Sequence, residues 1–555
     1  MIVLVVILKV ATVRHVFGAR RLTAALLALA LSACSSGDGD GEGRSTQTTV
    51  SRTSLSFSAD APDAPAPSPQ TVTVSFGDTV AHLAVIHSGD AIASITSTVD
   101  GRSAEITIEP ASPSSLGSGI FQSTVAITGY FCADAACTSL AAGNTQRISV
   151  RYQISPVIQT VAPYVAVANV PGDVIIRGIG FASFATQGVR FGDVAGLEFT
   201  LVSDQEIRVT HPALPAGRYE VQLDIPTHEG TLQSEATLVV LEPVSYAAQA
   251  LAYPVPVATV RELLYDAERS AVVLATDANG GALIRYVHGP NGWEAPTVTP
   301  LAEVQDIALA TRGDHLLAIT RDALVRFDPV TLAASTPIAA PSLEQDHFLR
   351  AIAVINDDRA LITTGTDEST ITPIYLYTGR LASLAQLSTA LNNATPAATG
   401  QGSSVIFVQG TSSTTGNLAV VLFSTATGQF DVAPVALTQN AIAPAMDRTG
   451  TRAVLNGTNV YGPSFMLLGK LPESTAAVVL RSDGKRAYAY DTDAGGILVY
   501  DVSADREGEA YAALGPAVPL PANPGANPRM TISPDDNVLF IAGDAQLIVQ
   551  PTPAL

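Results

Sequence analysis

A motif recurs seven times between Asp266 and the C-terminus, and it limits the folds open to this 555-residue chain more than anything else in the sequence. Each copy is a polar turn followed by an apolar strand: DAERSAVVLA from Asp266, TRGDHLLAIT from Thr311, NDDRALITTG from Asn356, GQGSSVIFVQG from Gly400, DRTGTRAVLNG from Asp447, RSDGKRAYAY from Arg481 and SPDDNVLFIAG from Ser533. The first apolar residues after these turns are Ala271, Leu316, Ala360, Val405, Ala453, Ala487 and Val538. They stand 45, 44, 45, 48, 34 and 51 residues apart, a mean of 44.5. A repeat of this length is one supersecondary unit that cannot bury its apolar face alone, so neighbouring copies must stack.

Most copies continue into a second apolar run with a turn of its own, as in ALIRYVHGPNG, ALVRFDPVTL, PIYLYTGR, NLAVVLFSTATGQF and GILVYDVSA. That content fits one four-stranded blade, and seven copies fit a closed, all-β, seven-bladed propeller over 244–555. The last copy supplies three strands, MTIS, NVLFIAG and AQLIVQ, whereas LAYPVPVATV (Leu251 to Val260) stands spare before the first. As the outer strand of the last blade, the spare segment removes two unpaired edges. The spacings of 34 and 51 leave open an unclosed array or a six-bladed ring with insertions.

RSDGKRAYAYDTDAGGILVYDVSA and SPDDNVLFIAG resemble the repeats of YVTN-type and quinoprotein-like β-propellers. The GH and WD marks of WD40 blades are missing, and the chain has one tryptophan, Trp293. The resemblance implies a fold and leaves the activity open.

Two smaller all-β modules precede the repeat. In 70–154, the runs TVTVSF, SAEITIEP, FQSTVAIT and QRISVRYQI alternate apolar and polar residues, as strands with one buried face do, and their spacing indicates a small sandwich. Cys132 and Cys137 lie in this module, and in an oxidising compartment they are expected to form a short disulfide pinning a hairpin. Two cysteines cannot complete a tetrahedral zinc site. GYFCADAACTSLAAGNTQRISVRYQI resembles the end of an immunoglobulin-like repeat of bacterial surface proteins.

Residues 155–243 resemble an IPT/TIG domain, an immunoglobulin-like fold, through PVIQTVAPYVA, VIIRGIGF, VRFGD, IRVTHPALPAGRYEVQL and ATLVVLEP. Gly192 suits a tight hairpin turn there, and the strand opened by Gly217 turns Tyr219 and Val221 to one side. Such domains serve in binding or as spacers, and none of their functional residues carries over. His211 and His228 stand at no metal-like spacing and read as surface or turn residues.

The N-terminus reads as an address. Arg14, Arg20 and Arg21 precede the apolar stretch LTAALLALAL, then small residues and Cys34, the order of a signal peptide over 1–33. LSAC (Leu31 to Cys34) resembles the bacterial lipobox. The resemblance implies acylation of the Cys34 thiol, removal of the preceding peptide, and a lipid anchor; Ser35 in place of aspartate implies the outer membrane. A second apolar run, MIVLVVIL, precedes the basic residues and makes the leader unusually long. Residues 34–69 follow as anchor and flexible linker, rich in Gly, Ser and then Pro.

Removing 1–33 takes away four basic residues and no acids, moving the formal charge from -20 to -24. An acidic chain without a basic patch is not expected to bind nucleic acid. The repeat region carries His288, His315 and His347, no cysteine, and no HExxH, GxSxG or CxxCH motif, so no catalytic residue, metal or cofactor is assigned. Its best polar cluster is Asp346, His347 and Arg350, placed just before a probable inner strand at a channel mouth. The acidic pairs Asp357-Asp358 and Asp535-Asp536 read as turn residues. The polar insertions TGTDESTITP and VQGTSSTTGN mark one face as a partner surface.

The sequence therefore points to a lipid-anchored, non-catalytic envelope module that binds a protein or glycan. The alternative is a propeller enzyme of quinoprotein- or lyase-like type, which needs polar groups from different blades to converge.

Overall fold

The computed structural model describes residues 5–10 and 46–554, except 185, 226–233, 235, 342, 344–346, 367–372, 384–390, 392, 411–417, 436 and 438–441. It is essentially all β, in many small and mostly antiparallel sheets, and divides into two compact units, one reaching to Val157 and the other starting at Ile158. Among the described residues no helix is long and apolar enough to cross a membrane.

In the first unit one sheet runs in the order Val5–Val10, His82–Ser88, Gly119–Cys132, Gln146–Ile154 and Ser54–Ala59, with Leu140–Ala142 paired to Gly119–Cys132. The other runs Thr48–Val50, Gln70–Phe76, Ser103–Pro110 and Ile92–Asp100. Period-two patterning decides what lies inside: Val72 and Val74, Leu83 and Val85, Ile106 and Ile108, and Val125 and Ile127 all join one buried core.

The flexible linker expected over 34–69 is shorter than its composition implied. Thr48–Val50 and Ser54–Ala59 are strands, the latter parallel to Gln146–Ile154, and Leu55, Phe57 and Ala59 are buried. SLSFSA alternates serine with apolar residues, and that short pattern outweighs the polar composition around it. Val5–Val10, read in the sequence as part of a leader, is a strand parallel to His82–Ser88.

Cys132 and Cys137 are joined, with Cα atoms 4.6 Å apart, across the turn leading into Leu140–Ala142. Asp134 organises this turn: its carboxylate accepts from the backbone N–H and hydroxyl of both Thr138 and Ser139.

The second unit begins with two sheets. One is ordered Val157–Ala162, Gly172–Ile179, Glu206–His211 and Leu197–Ser203; the other Val165–Val167, Thr237–Leu241, Gly217–Asp224, Gly188–Phe191 and Val194–Ala195. Gly192, at a φ of 57°, makes the tight turn between Phe191 and Val194. His211 corrects the surface assignment. It is 1% exposed, its ring sits edge-on to Phe191, and Nδ1 lies 2.9 Å from the Pro212 carbonyl. It falls on the inward phase of Glu206–His211, where Ile207 and Val209 are also buried.

Seven sheets follow. Their second strands begin at Ala271, Leu316, Ala360, Ser404, Ala453, Arg486 and Val538, at or one residue before the positions marked by the repeat. The first strands are Val260–Asp266, Asp306–Leu309, His347–Val354, Thr395–Ala398, Ala445–Met446, Thr475–Leu480 and Arg529–Ile532, and each lies beside the next. The last lies beside the first. An apolar cluster fills every junction, from Val273 with Leu316 between the first two sheets to Phe540 with Tyr265 between the seventh and the first. The outer strand of the seventh sheet does come from before the first, but earlier than expected: Gln249–Ala252 pairs antiparallel with Gln546–Pro551, taking only Leu251 and Ala252 of the segment Leu251 to Val260, and Val260 opens the first sheet.

The irregular spacings have a physical explanation. The fifth repeat is short, and the residues added in the sixth reach back over its last strand, Leu467–Lys470. Lys470 N–H donates to the Glu509 carbonyl at 3.0 Å and Tyr511 N–H to the Lys470 carbonyl at 2.9 Å. An edge left bare by a deletion is thus paired by the neighbouring insertion.

Candidate functional site

The first strands enclose a channel that should be apolar on repeat logic alone, yet charged residues recur at one level of these strands. Arg261, Asp306 and Arg350 each stand ten residues before the first apolar residue of their repeat, Ala271, Leu316 and Ala360. Arg529 stands nine before Val538, while the equivalent places in the other repeats are Thr395, Ala443 and Ala477. A cavity of about 450 Å³ opens here, lined by Glu262, Asp306 and Arg529 beside Ile307 and Met530.

Three of the first strands are bulged near this level, and in two of them the extra residue is an arginine, whereas in the sixth sheet it is Ala476. Pairing slips between Val260 and Glu262, so that Arg261 is the extra residue of a bulge, and again between Leu349 and Ala351, where the extra residue is Arg350. A bulge re-aims a side chain that regular pleating would direct elsewhere. Among the described residues, the guanidinium groups of Arg261, Arg350 and Arg529 have neither a hydrogen-bond acceptor nor a carboxylate within 4.0 Å. The Arg261 Nε is itself buried and unsatisfied. Burial, then the charges of Arg261 and Arg529, hold the Arg350 guanidinium below its ordinary pKa; Asp306 opposes them.

The two carboxylates are fixed from behind. Asp306, 7% exposed, accepts from Ile307 N–H at 2.7 Å and Ile352 N–H at 2.8 Å, which ties the second sheet to the third. Glu262 accepts from Leu263 N–H at 3.1 Å. Burial pushes both carboxyls up, Glu262 raises Asp306 further, and Arg529 partly offsets the rise in each. Glu262, Asp306 and Arg529 therefore line one cavity and feel one another's charge.

The other end of the channel is covered. A second cavity, about 400 Å³, lies between the ends of the first strands and Pro163 and Tyr164 of the preceding module. Thr160 donates its hydroxyl to the Asn356 carbonyl, and Arg177 Nε donates to Asn356 Oδ1 at 3.1 Å. Gln401 and Arg448 both donate to the Asp173 carbonyl, at 3.1 and 3.2 Å. Behind these contacts Arg177 meets Glu206 at 3.2 Å, both almost fully buried, and Glu206 also holds Arg208 at 3.0 Å. Buried polar groups cost stability unless satisfied, so this chain joins the module to the ring as one body.

Of the residues singled out in the sequence, Arg350 is the extra residue of the bulge in His347–Val354, and it is not among the described residues lining the cavity. Asp346 lies outside the described residues. His347 opens the strand His347–Val354 opposite Thr366, three residues ahead of the bulge. Cys34 and His228 lie outside the described residues, as do most of the two polar insertions. The acidic pairs brace turns: Asp357 binds Arg359, Asp535 accepts from Val244 N–H at 2.6 Å, and Asp536 accepts from Ser482 N–H at 2.9 Å. Among the described residues no group of three or more His, Cys, Asp or Glu is placed to hold a metal. Arg261, Glu262, Asp306 and Arg529 escaped the sequence reading. Their signal was a charge recurring nine or ten residues before the apolar landmark, visible only when the repeats are aligned upstream of the turn.

No family profile matches this chain, and no curated protein does. Among solved structures it is similar to the Myceliophteria thermophila Cps50 (Swd1) beta-propeller domain, at 9% identity and a TM-score of 0.38, over 55% of this chain and 99% of that one. A likeness at that level says nothing of activity or partner.

Proposed function

We propose that this chain is a non-catalytic binding or scaffold module of the cell envelope, anchored through lipid on Cys34. In this reading 244–555 form a closed seven-bladed β-propeller, the residues from about 46 to 154 and 155–243 are immunoglobulin-like modules, and the partner is a protein or glycan met at the channel mouth lined by Glu262, Asp306 and Arg529. The observation that carries the proposal is the asymmetry of the channel. One mouth is spent on a buried hydrogen-bonded junction with Thr160, Asp173 and Arg177. The other presents the charged groups Glu262, Asp306 and Arg529 in a cavity of about 450 Å³. Loops carried on a rigid scaffold are a common setting for recognition.

Lipidation and engagement are tested together by crosslinking in intact cells with the native chain and a Cys34→Ser variant. The reading expects the native chain to fractionate with membranes and to yield one dominant crosslinked envelope component, both lost on Cys34→Ser. Equal membrane association of the two proteins would remove the anchor from the proposal. The enzyme alternative would draw on the Glu262, Asp306 and Arg529 level, and predicts turnover of a bound small molecule by the purified chain.

A further inference from the structure

The cavity of about 400 Å³ beside Tyr164 differs in chemistry from the one that holds Glu262, Asp306 and Arg529. Six residues line both: Leu309, Val354, Ala398, Met446, Leu480 and Ile532, each the last residue of a first strand, from the second sheet to the seventh. The two cavities thus share an apolar ring, and in the chamber beside Tyr164 polar groups enter only beyond it, on the turns that follow the strands. Asn356 is fully buried there; its Oδ1 takes the Arg177 Nε–H, whereas its Nδ2 has no partner. Arg448 gives one N–H to the Asp173 carbonyl at 3.2 Å, and among the described residues no carboxylate lies within 4.0 Å of its guanidinium.

The loop Gly400-Gln401-Gly402 holds these two residues at one end of the chamber. Asn356 N–H donates to the Gly402 carbonyl and Gln401 N–H to the Arg448 carbonyl, both at 3.1 Å. Gly402, at a φ of 60°, permits the approach, since a Cβ there would lie 2.7 Å from Asn356 N. Asp536 also lines the chamber, but its carboxylate is engaged by the Ser482 N–H and hydroxyl and by Arg481 at 3.5 Å. A space of this size exceeds the voids of a packed interior. Mainly apolar walls with a few polar groups gathered at one end are the make-up of a small-molecule site. The groups left over at that end are N–H donors, one of them on a cation, and they match an anionic acceptor.

We infer that this chamber binds a monocarboxylate with a linear apolar tail, a short- to medium-chain fatty acid, its carboxylate at Asn356 and Arg448 and its tail across the ring from Leu309 to Ile532. The site is separate from the mouth proposed above for a macromolecular partner, so the two readings fail independently. A free fatty acid and an acyl chain esterified in a lipid share the tail, and only the free acid carries the charge that Arg448 matches.

Calorimetric titration of the full-length protein with butanoate, hexanoate, octanoate and methyl octanoate tests the assignment. Octanoate is expected to bind with one molecule per chain, affinity rising roughly fourfold for each added methylene. Methyl octanoate, which lacks the charge, should bind roughly tenfold more weakly. Arg448→Met should weaken octanoate to the level of its ester and leave the ester unchanged. The Asp173 carbonyl keeps the Gln401 donor in that variant, so the fold is expected to hold. Ala398→Leu adds bulk to the ring and leaves the head group's partners in place, and it should flatten the gain per methylene. Octanoate failing to bind the native protein, or binding without saturating at one equivalent, would overturn the site. Equal affinity for acid and ester, or for octanoate in the native and Arg448→Met proteins, would overturn the carboxylate assignment and point to an esterified acyl chain. A native affinity indifferent to chain length, or a gain unaltered by Ala398→Leu, would show that the tail does not cross the ring.

Discussion

Removing the Arg177 guanidinium tests whether the small module and the ring of sheets are one cooperative body. Arg177 is 6% exposed, lies 3.2 Å from the buried Glu206 carboxylate, and donates from Nε to Asn356 Oδ1 at 3.1 Å. Arg177→Met keeps the aliphatic stem, so packing is largely preserved. Two groups then lose a partner. Glu206 keeps only Arg208, whose side chain is 57% exposed, and Asn356 Oδ1 loses its donor. Breaking a buried ion pair from one side costs about 3–5 kcal/mol, and orphaning a buried amide oxygen about 1–3 kcal/mol. The surviving Arg208 contact places the total near the lower end, about 3 kcal/mol. Trp293, the one tryptophan, sits in the first of the seven sheets against Tyr246 and His288, so its fluorescence in urea reports on the ring. Arg177→Met should lower the Trp293 midpoint with the slope unchanged. Arg208→Ala should cost less than about 1 kcal/mol. A cycle with Asn356→Ala should give a coupling of about 0.5–3 kcal/mol. An unmoved Trp293 midpoint, or a coupling indistinguishable from zero, would refute the claim that this junction makes the two parts one body.

Removing the Cys132–Cys137 bond, with both residues changed to alanine, should destabilise the first unit by about 2 kcal/mol on loop-closure grounds and leave the Trp293 transition unmoved; a loss in the Trp293 transition instead would contradict the division into units. Glu262 and Asp306 are held above the ordinary carboxyl range, chiefly by burial, so the folded chain keeps protons that the unfolded chain has released. The stability this contributes is full below about pH 4 and is lost as pH rises through the raised folded values. Glu262→Gln should therefore flatten the fall in melting temperature from about pH 5 to about pH 8, and equal slopes in the two proteins would exclude the carboxyl pair as its cause. Gly313, at a φ of 67°, lies under the Tyr164 ring, and a methyl group there would meet that ring. Gly313→Ala should raise hydrogen exchange at Val165 and its neighbours; unchanged protection would mean that Tyr164 does not seal the covered mouth.

Much of the architecture was legible because repetition reveals it. The apolar landmarks from Ala271 to Val538 fall on second strands in all seven sheets, and a strand from before Val260 pairs where edge closure requires. Composition misled where a short pattern mattered more, as in SLSFSA, which a linker-like setting concealed. His211 was misread because a histidine's burial depends on the phase of its strand, and a preceding turn gives no hint of that phase. The channel site was only partly readable. Arg350 was expected at the mouth, but the groups whose charge it feels come from strands up to 179 residues away in the chain, and a bulge cannot be read from one strand alone. Only pairing shows that Arg261 and Arg350 are the extra residues.

Recognition through the mouth lined by Glu262, Asp306 and Arg529 is tested most directly by a photo-crosslinking amino acid placed in intact cells at Ala443, which lines that cavity, and separately at Thr311, which lines the one facing Tyr164. A defined product from Ala443 and none from Thr311 is the result the account predicts. Equal products from both positions, or a product from Thr311 alone, would contradict it.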